Sequence, residues 1–172
     1  MRGVPLSLDA VNAMSPDEFV SAFGAVYEHS PWVAEAAAAQ RPFASREALA
    51  RALAAAVGDA PAADRLALIR AHPDLAGRAA VAGELTDASA GEQAGAGLDR
   101  LTPEAHTRLV EGNAAYAERF GFPFVICVRG LTPDAIQTAL DARLANDDAT
   151  ERATALAEID AIVRVRLEPL VA

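Results

Sequence analysis

Apolar side chains recur along much of the chain at the three-and-four spacing of amphipathic helices. Phe19, Val20, Phe23 and Val26 form one stripe, and Leu49, Leu53 and Val57 a second. Ile159, Ile162, Val163, Leu167 and Leu170 form a third, with Arg166 on the same face. Start signals separate these stripes. Ser15-Pro16-Asp17-Glu18 supplies a capping hydroxyl, a proline at the first helical position and a carboxylate three residues on. Ser30-Pro31, Thr102-Pro103-Glu104 and Thr132-Pro133-Asp134 repeat the hydroxyl–proline start, and Ser45-Arg46-Glu47 and Ser89-Ala90-Gly91-Glu92 read as caps. Together they predict eight helices, near 16–27, 31–40, 46–57, 61–71, 90–100, 103–119, 133–145 and 149–169. Gly58 and Gly121 are the expected stops of two, and Pro73 ends the fourth by pushing the residue before it out of helical geometry.

Two stretches break the period. Gly77 to Ala90 is small and polar and reads as a loop. Gly121-Phe122-Pro123-Phe124-Val125-Ile126-Cys127-Val128-Arg129-Gly130 is glycine-bounded and β-prone. A lone strand cannot satisfy its own backbone. The segment is therefore expected either to cross the core extended or to form a short helix with an irregular entrance, with backbone N–H groups free for a ligand.

Composition sharpens this to an all-α fold in one domain, residues 1–172. Apolar residues make up 52% of the chain and aromatics 5%, and alanine, the strongest helix former, supplies about a quarter. The net charge is −9, and all 15 basic residues are arginine. Such a chain repels phosphate backbones, so nucleic-acid binding is not expected. Met1–Asp9 lacks a signal-peptide pattern, no apolar run is long enough for a membrane span, and the Leu170-Val171-Ala172 ending is no peroxisomal address. The expectation is a soluble cytosolic protein.

Candidate chemistry is sparse. The one cysteine, Cys127, excludes an intramolecular disulfide and a cysteine zinc site, and reads as a small buried core residue. The three histidines have no metal-ligand spacing, so no metal is expected. No P-loop or nucleophile elbow occurs. His29 and His106 read as solvated. His72 stands apart, because Arg70-Ala71-His72-Pro73-Asp74-Leu75 fixes an imidazole on a rigid turn at a helix end. That placement suits a general acid, and equally a histidine that bonds the last helical carbonyls. Glu92 reads as half of a capping box with Ser89, or as a carboxylate beside free helical amides. Arg166 reads as a snorkelling side chain, or as a buried cation that needs a carboxylate.

Read in order, five segments resemble a single family. They are His72-Pro73-Asp74-Leu75-Ala76-Gly77-Arg78; Ser89-x-x-Glu92-Gln93-x-x-Ala96-Gly97-Leu98; Asn113-x-x-Tyr116-x-x-Arg119-Phe120-Gly121-Phe122-Pro123-Phe124; Arg143-Leu144-x-Asn146; and Arg164-x-Arg166-Leu167. The family is the 2-oxo-4-hydroxy-4-carboxy-5-ureidoimidazoline (OHCU) decarboxylases of urate degradation. The resemblance covers nearly the whole chain; His-Pro-Asp-Leu and Arg-Phe-Gly-Phe-Pro-Phe are its specific parts. It implies an all-helical, cofactor-free decarboxylase, usually a homodimer. Such an enzyme acts after urate oxidase and hydroxyisourate hydrolase on a small ureidoimidazoline and gives (S)-allantoin. It implies His72, Glu92 and Arg166 as catalytic residues. It implies substrate contacts at Pro73, at Ser89, Ala90, Gly91, Glu92 and Gln93, and at Phe124, Val125, Ile126, Cys127 and Val128. His72, Glu92 and Arg166 are expected to line one cavity floored by residues 122–128. Glu111-Gly112 reads as ordinary drift. The competing readings are a non-catalytic helical ligand-binding or regulatory domain, and an alanine-rich interaction scaffold.

Overall fold

The computed structural model describes residues 4–172, so the first three residues of the Met1–Asp9 stretch lie outside it. The chain is all-α. Ten α-helices occur among the described residues: α1 (Leu8–Ala13), α2 (Pro16–Phe23), α3 (Trp32–Ala38), α4 (Arg46–Asp59), α5 (Ala62–Arg70), α6 (Arg78–Ala82), α7 (Asp87–Gly95), α8 (Pro103–Phe120), α9 (Pro133–Arg143) and α10 (Asp148–Leu167). A single 3-10 turn, Leu98–Arg100, follows α7. The extended pairing among the described residues is one isolated bridge, Leu6 to Val171. No described helix is long and apolar enough to cross a membrane.

The residues divide into two compact units. The first comprises residues 1–71 and 159–172, the second residues 72–158, with α10 running from the second into the first. In the first unit α2 packs on α3 and α3 on α4. Most of the predicted stripe residues are buried there: Phe19, Phe23, Val26, Leu49, Leu53, Val57, Ile159, Ile162, Val163 and Leu167; Val20 and Leu170 are half-buried. Ser15 and Glu18 form the reciprocal capping box, and Ser45 caps α4 through Ala48 N–H. In the second unit α8 packs on α9, and each starts with the expected threonine cap and proline.

Several boundaries depart from the sequence reading. Ser30 does not cap α3; its hydroxyl donates to Glu28 O, and the helix starts after Pro31 without a side-chain cap. Gly58 stops nothing: α4 continues to Asp59, and Pro61 follows. The short α1 lacks a long apolar stripe and escapes a pattern search, although Ser7 caps it. The presumed loop 77–90 holds α6 and the first turn of α7. At Gly112, read above as drift, a Cβ would lie 2.5 Å from Leu140 Cδ2, the tip of a buried side chain on α9 that would have to shift. Gly121 does end α8, in the left-handed region at φ +75°.

Candidate active site

The site residues of the second unit sit on three elements: the turn after α5, helix α7, and the segment after α8. Helix α5 ends at Arg70, and Ala71 closes it. His72 follows, buried, with Pro73 next to it. The turn beyond is held by side chains on both edges. Gln93 Oε1 accepts from Ala76 N–H at 2.9 Å, and Asn113 Nδ2 donates to Leu75 O at 2.9 Å. His106 Nε2 lies 3.1 Å from Ala76 O. A carbonyl only accepts, so that ring nitrogen carries the proton. His106 is thus half-buried and engaged, contrary to the solvated reading, because α8 brings it back over the turn; His29 is exposed as expected.

These three contacts hold Ala76 at φ +50°, where a Cβ crowds the following carbonyl. Ala76→Gly removes that crowding at some cost in unfolded-chain entropy. The expected result is a gain of up to about 1 kcal/mol, read as a thermal midpoint higher by about 2–4 °C. A lower midpoint would contradict it.

Helix α7 corrects the reading of Glu92. Thr86, not Ser89, is its cap; the Thr86 side chain accepts from Ser89 N–H at 3.3 Å. The Ser89–Glu92 capping box is therefore absent, and Glu92 sits mid-helix, away from the free amides of the first turn. Ser89, Glu92, Gln93 and Ala96 share one face by helical spacing. Ser89, Gln93 and Ala96 are buried and Glu92 half-buried, whereas Ala90 and Gly91 are exposed.

Residues 122–128 carry neither helix nor strand, which excludes the short-helix alternative. Phe122, Phe124, Val125, Ile126 and Val128 are buried. Cys127 is half-buried rather than a core residue: the charged side chain of Glu158 lies beside it and accepts from its backbone N–H at 2.8 Å. Burial pushes its thiol up, and the negative charges of Glu158 and Glu92 add to this. The thiol stays protonated at neutral pH and is no nucleophile. The same coupling puts the Glu92 carboxylate within electrostatic reach of Cys127.

Arg166 belongs to the first unit. It is the buried cation with a carboxylate, not a snorkelling side chain: Nη1 donates to Val26 O at 3.0 Å, and Nη2 pairs with Glu28 Oε1 at 2.9 Å. Arg164 faces the surface between Asp160 and Glu47, which separates the two arginines of the motif. The fully buried Glu151 and the nearly buried Glu28 went unnoticed in the sequence. Their partners lie 8 and 138 positions away, beyond any local spacing rule.

With this geometry in place, comparison with known proteins is decisive. The OHCU decarboxylase family model matches residues 12–168. This is an OHCU decarboxylase family member. The 2-oxo-4-hydroxy-4-carboxy-5-ureidoimidazoline decarboxylase of Haloferax volcanii is 48% identical over 162 residues, covering 94% of each chain. The protein of the same name from Amia calva is 41% identical, covering 96% of this chain and 95% of its own. A solved (S)-allantoin synthase superposes with a TM-score of 0.76 at 28% identity, covering 96% of this chain and 54% of that one. A solved OHCU decarboxylase crystallised with (S)-allantoin, at 21% identity, shares the fold with a TM-score of 0.67. Within this family frame, Asn113 and Gln93 become the residues that shape the His72 turn.

Proposed function

We propose that the chain decarboxylates 2-oxo-4-hydroxy-4-carboxy-5-ureidoimidazoline to (S)-allantoin in urate degradation. The observation that carries this reading, beyond family membership, is the bond from Ala76 N–H to Gln93 Oε1. It ties the turn bearing His72 to the helical turn bearing Glu92. Two candidate catalytic groups, 20 positions apart in the sequence, are thus carried by elements that are directly bonded.

The substrate dictates what the protein supplies. Its carboxylate sits on a carbon that also bears a hydroxyl, beside a ring C=N. When the C–C bond to the carboxylate breaks, CO2 leaves and the electron pair passes into the ring C=N and the adjoining carbonyl system. The ring nitrogen of the former C=N takes up a proton; the hydroxyl proton then departs as the ring carbonyl forms, and another proton is added to the neighbouring ring carbon, so that one proton in all takes the place of CO2. The ring is its own electron sink, so the chemistry asks for no organic cofactor. What remains is orientation, charge stabilisation and protonation on one face. His72 is assigned to charge stabilisation and proton delivery. Glu92 holds the hydroxyl or ureido N–H groups and fixes the ring. Arg166 is assigned to substrate oxygens other than the leaving carboxylate, since a tight grip on that group would stabilise the ground state. Pro73, residues 89–93 and residues 124–128 are the proposed substrate contacts.

The test is circular dichroism of freshly generated urate breakdown product with and without the protein. Faster appearance of the (S)-allantoin signal is expected; the slow racemic decay of the control, unchanged by protein, would leave a binding module as the better reading. We further propose a cytosolic homodimer, on the family resemblance. Sedimentation of a species near 17.9 kDa, the mass of one chain, would refute the dimer.

A further inference from the structure

We propose that Arg143 is a positioning residue of this reaction, holding the Val125–Ile126 peptide so that the Ile126 N–H is presented to the substrate. The proposal rests on the decarboxylase reading above. It gives a task to Arg143-Leu144-x-Asn146 and to Tyr116, motif residues to which no step has so far been assigned.

Arg143 ends α9 and is buried. Its Nε donates to Glu151 Oε2 at 3.0 Å, and its Nη2 pairs with the same oxygen at 2.9 Å and lies 3.4 Å from the Tyr116 hydroxyl. The guanidinium carbon stands 4.6 Å from the Phe124 ring centre and 5.8 Å from that of Tyr116. Glu151 is 0% exposed and also accepts from Asn146 Nδ2 at 2.8 Å and from the Tyr116 hydroxyl. Tyr116 in turn meets Phe122 and Phe124 edge-on, at 5.9 and 5.4 Å. Side chain by side chain, the cluster closes on itself.

One of its hydrogen bonds leads out. Arg143 Nη1 donates to Val125 O at 2.7 Å, the shortest of the guanidinium's contacts. A buried ion pair contributes little net stability compared with apolar residues of the same shape. This one, however, also grips a backbone carbonyl in the segment expected to contact substrate. The peptide is planar and trans, so the carbonyl of Val125 and the N–H of Ile126 point in opposite directions. With the carbonyl fixed on Arg143, the Ile126 N–H faces away from the cluster. Among the described residues no hydrogen bond to it occurs, whereas the next amide, Cys127 N–H, is taken by Glu158. Ile126 is only 8% exposed, and a buried amide without an acceptor is costly. A ureidoimidazoline, with carbonyl and carboxylate oxygens around a small ring, supplies that acceptor.

Arg143→Lys keeps the charge but replaces a planar fork with a single ammonium that cannot serve Glu151 and Val125 O together. The expected result is a fall in kcat/KM of about 10–100-fold. The pH profile should keep its shape, since His72 is untouched. In 15N-labelled wild-type protein the Ile126 amide resonance should move on titration with (S)-allantoin, and the movement should be absent in Arg143→Lys. A folded Arg143→Lys with wild-type kcat/KM overturns the proposal. So does an Ile126 amide that stays still at saturating (S)-allantoin while other resonances move, and this measurement decides alone if the variant does not fold. A wild type without turnover overturns the decarboxylase reading and this proposal with it; an active wild type beside an unaffected Arg143→Lys overturns only the latter.

Discussion

Replacing His72 by asparagine is expected to lower decarboxylation about 10²–10⁴-fold while the protein remains folded. Asparagine preserves a hydrogen-bond donor of similar reach. It cannot become cationic or give up a proton near neutral pH. If His72 served only to orient substrate, His72→Asn would retain much of the rate and His72→Ala would not. If it delivers a proton or stabilises developing charge, both lose activity alike. The fold should tolerate either change, because α5 has already closed at Ala71 and the turn beyond is held by Gln93, His106 and Asn113. Glu92→Gln is the companion, keeping the size of the side chain and removing its charge from the neighbourhood of residues 122–128. The readouts are (S)-allantoin formation by circular dichroism and thermal melting. Near-normal turnover in His72→Asn would take the imidazole out of the chemistry.

The largest effect on stability is expected at Glu151. Its removal in Glu151→Ala strands the Arg143 guanidinium in a buried site and takes away the acceptor of Asn146 and Tyr116. Breaking one side of such a pair costs about 3–5 kcal/mol, or a melting point lower by about 10 °C or more. Replacing both partners with methionine should recover only part of that loss, since the desolvation cost of both charges disappears while Tyr116, Asn146 and Val125 O still lack their partners. The double variant should nevertheless stay impaired in turnover, because nothing then holds Val125 O. A Glu151→Ala protein that melts like wild type would contradict this account. Acid should reproduce the loss. Burial pushes the Glu151 carboxyl up, but hydrogen bonds from Arg143, Tyr116 and Asn146 outweigh it and hold the group below its ordinary 4.5. A lowered folded-state value means the stabilisation is complete above the ordinary value and vanishes as pH falls through the lower one. Chemical denaturation midpoints should therefore fall away as pH drops below the ordinary 4.5, and less steeply in the double-methionine variant.

Three of the four hydroxyl–proline starts were legible in the sequence because their signals are local: Ser15, Thr102 and Thr132 each bond a backbone amide three residues ahead, whereas the Ser30 hydroxyl turns back to Glu28 O. The same local rule failed at Ser89, where two candidate caps lie three residues apart and the upstream Thr86 takes the role. It failed at Gly58 because glycine permits a helix to end but does not compel it; a helix ends where the next residue cannot continue, here at the approach to Pro61. His72 and Glu92 could be singled out as residue types in a setting, and the family resemblance gave them roles. What pins them was not legible. Gln93, His106 and Asn113 reach the turn from 17, 30 and 38 positions away. Such pairings are set by how α7 and α8 pack, which no spacing in the chain encodes. Arg166 illustrates the boundary between the two cases. The need of a cation on an apolar face for a carboxylate follows from its position, but the identity of that carboxylate, Glu28, does not.

The two compact units differ in how the chain supplies them. The second is one uninterrupted stretch, residues 72–158, whereas the first needs residues 159–172 as well as 1–71. A chain leaving the ribosome therefore has all the residues of its later unit before it has all those of its earlier one. Residues 1–71 must wait for residues 159–172, which include the buried Ile159, Val163 and Leu167, and the bridge from Leu6 to Val171 forms later than any contact within the second unit. During that interval the unit bearing His72 and Glu92 has its full complement of sequence, while the N-terminal helices carry incomplete cover and the exposure to misassociation that goes with it. Loss of residues 159–172 would thus strike residues 1–71, far upstream of the cut.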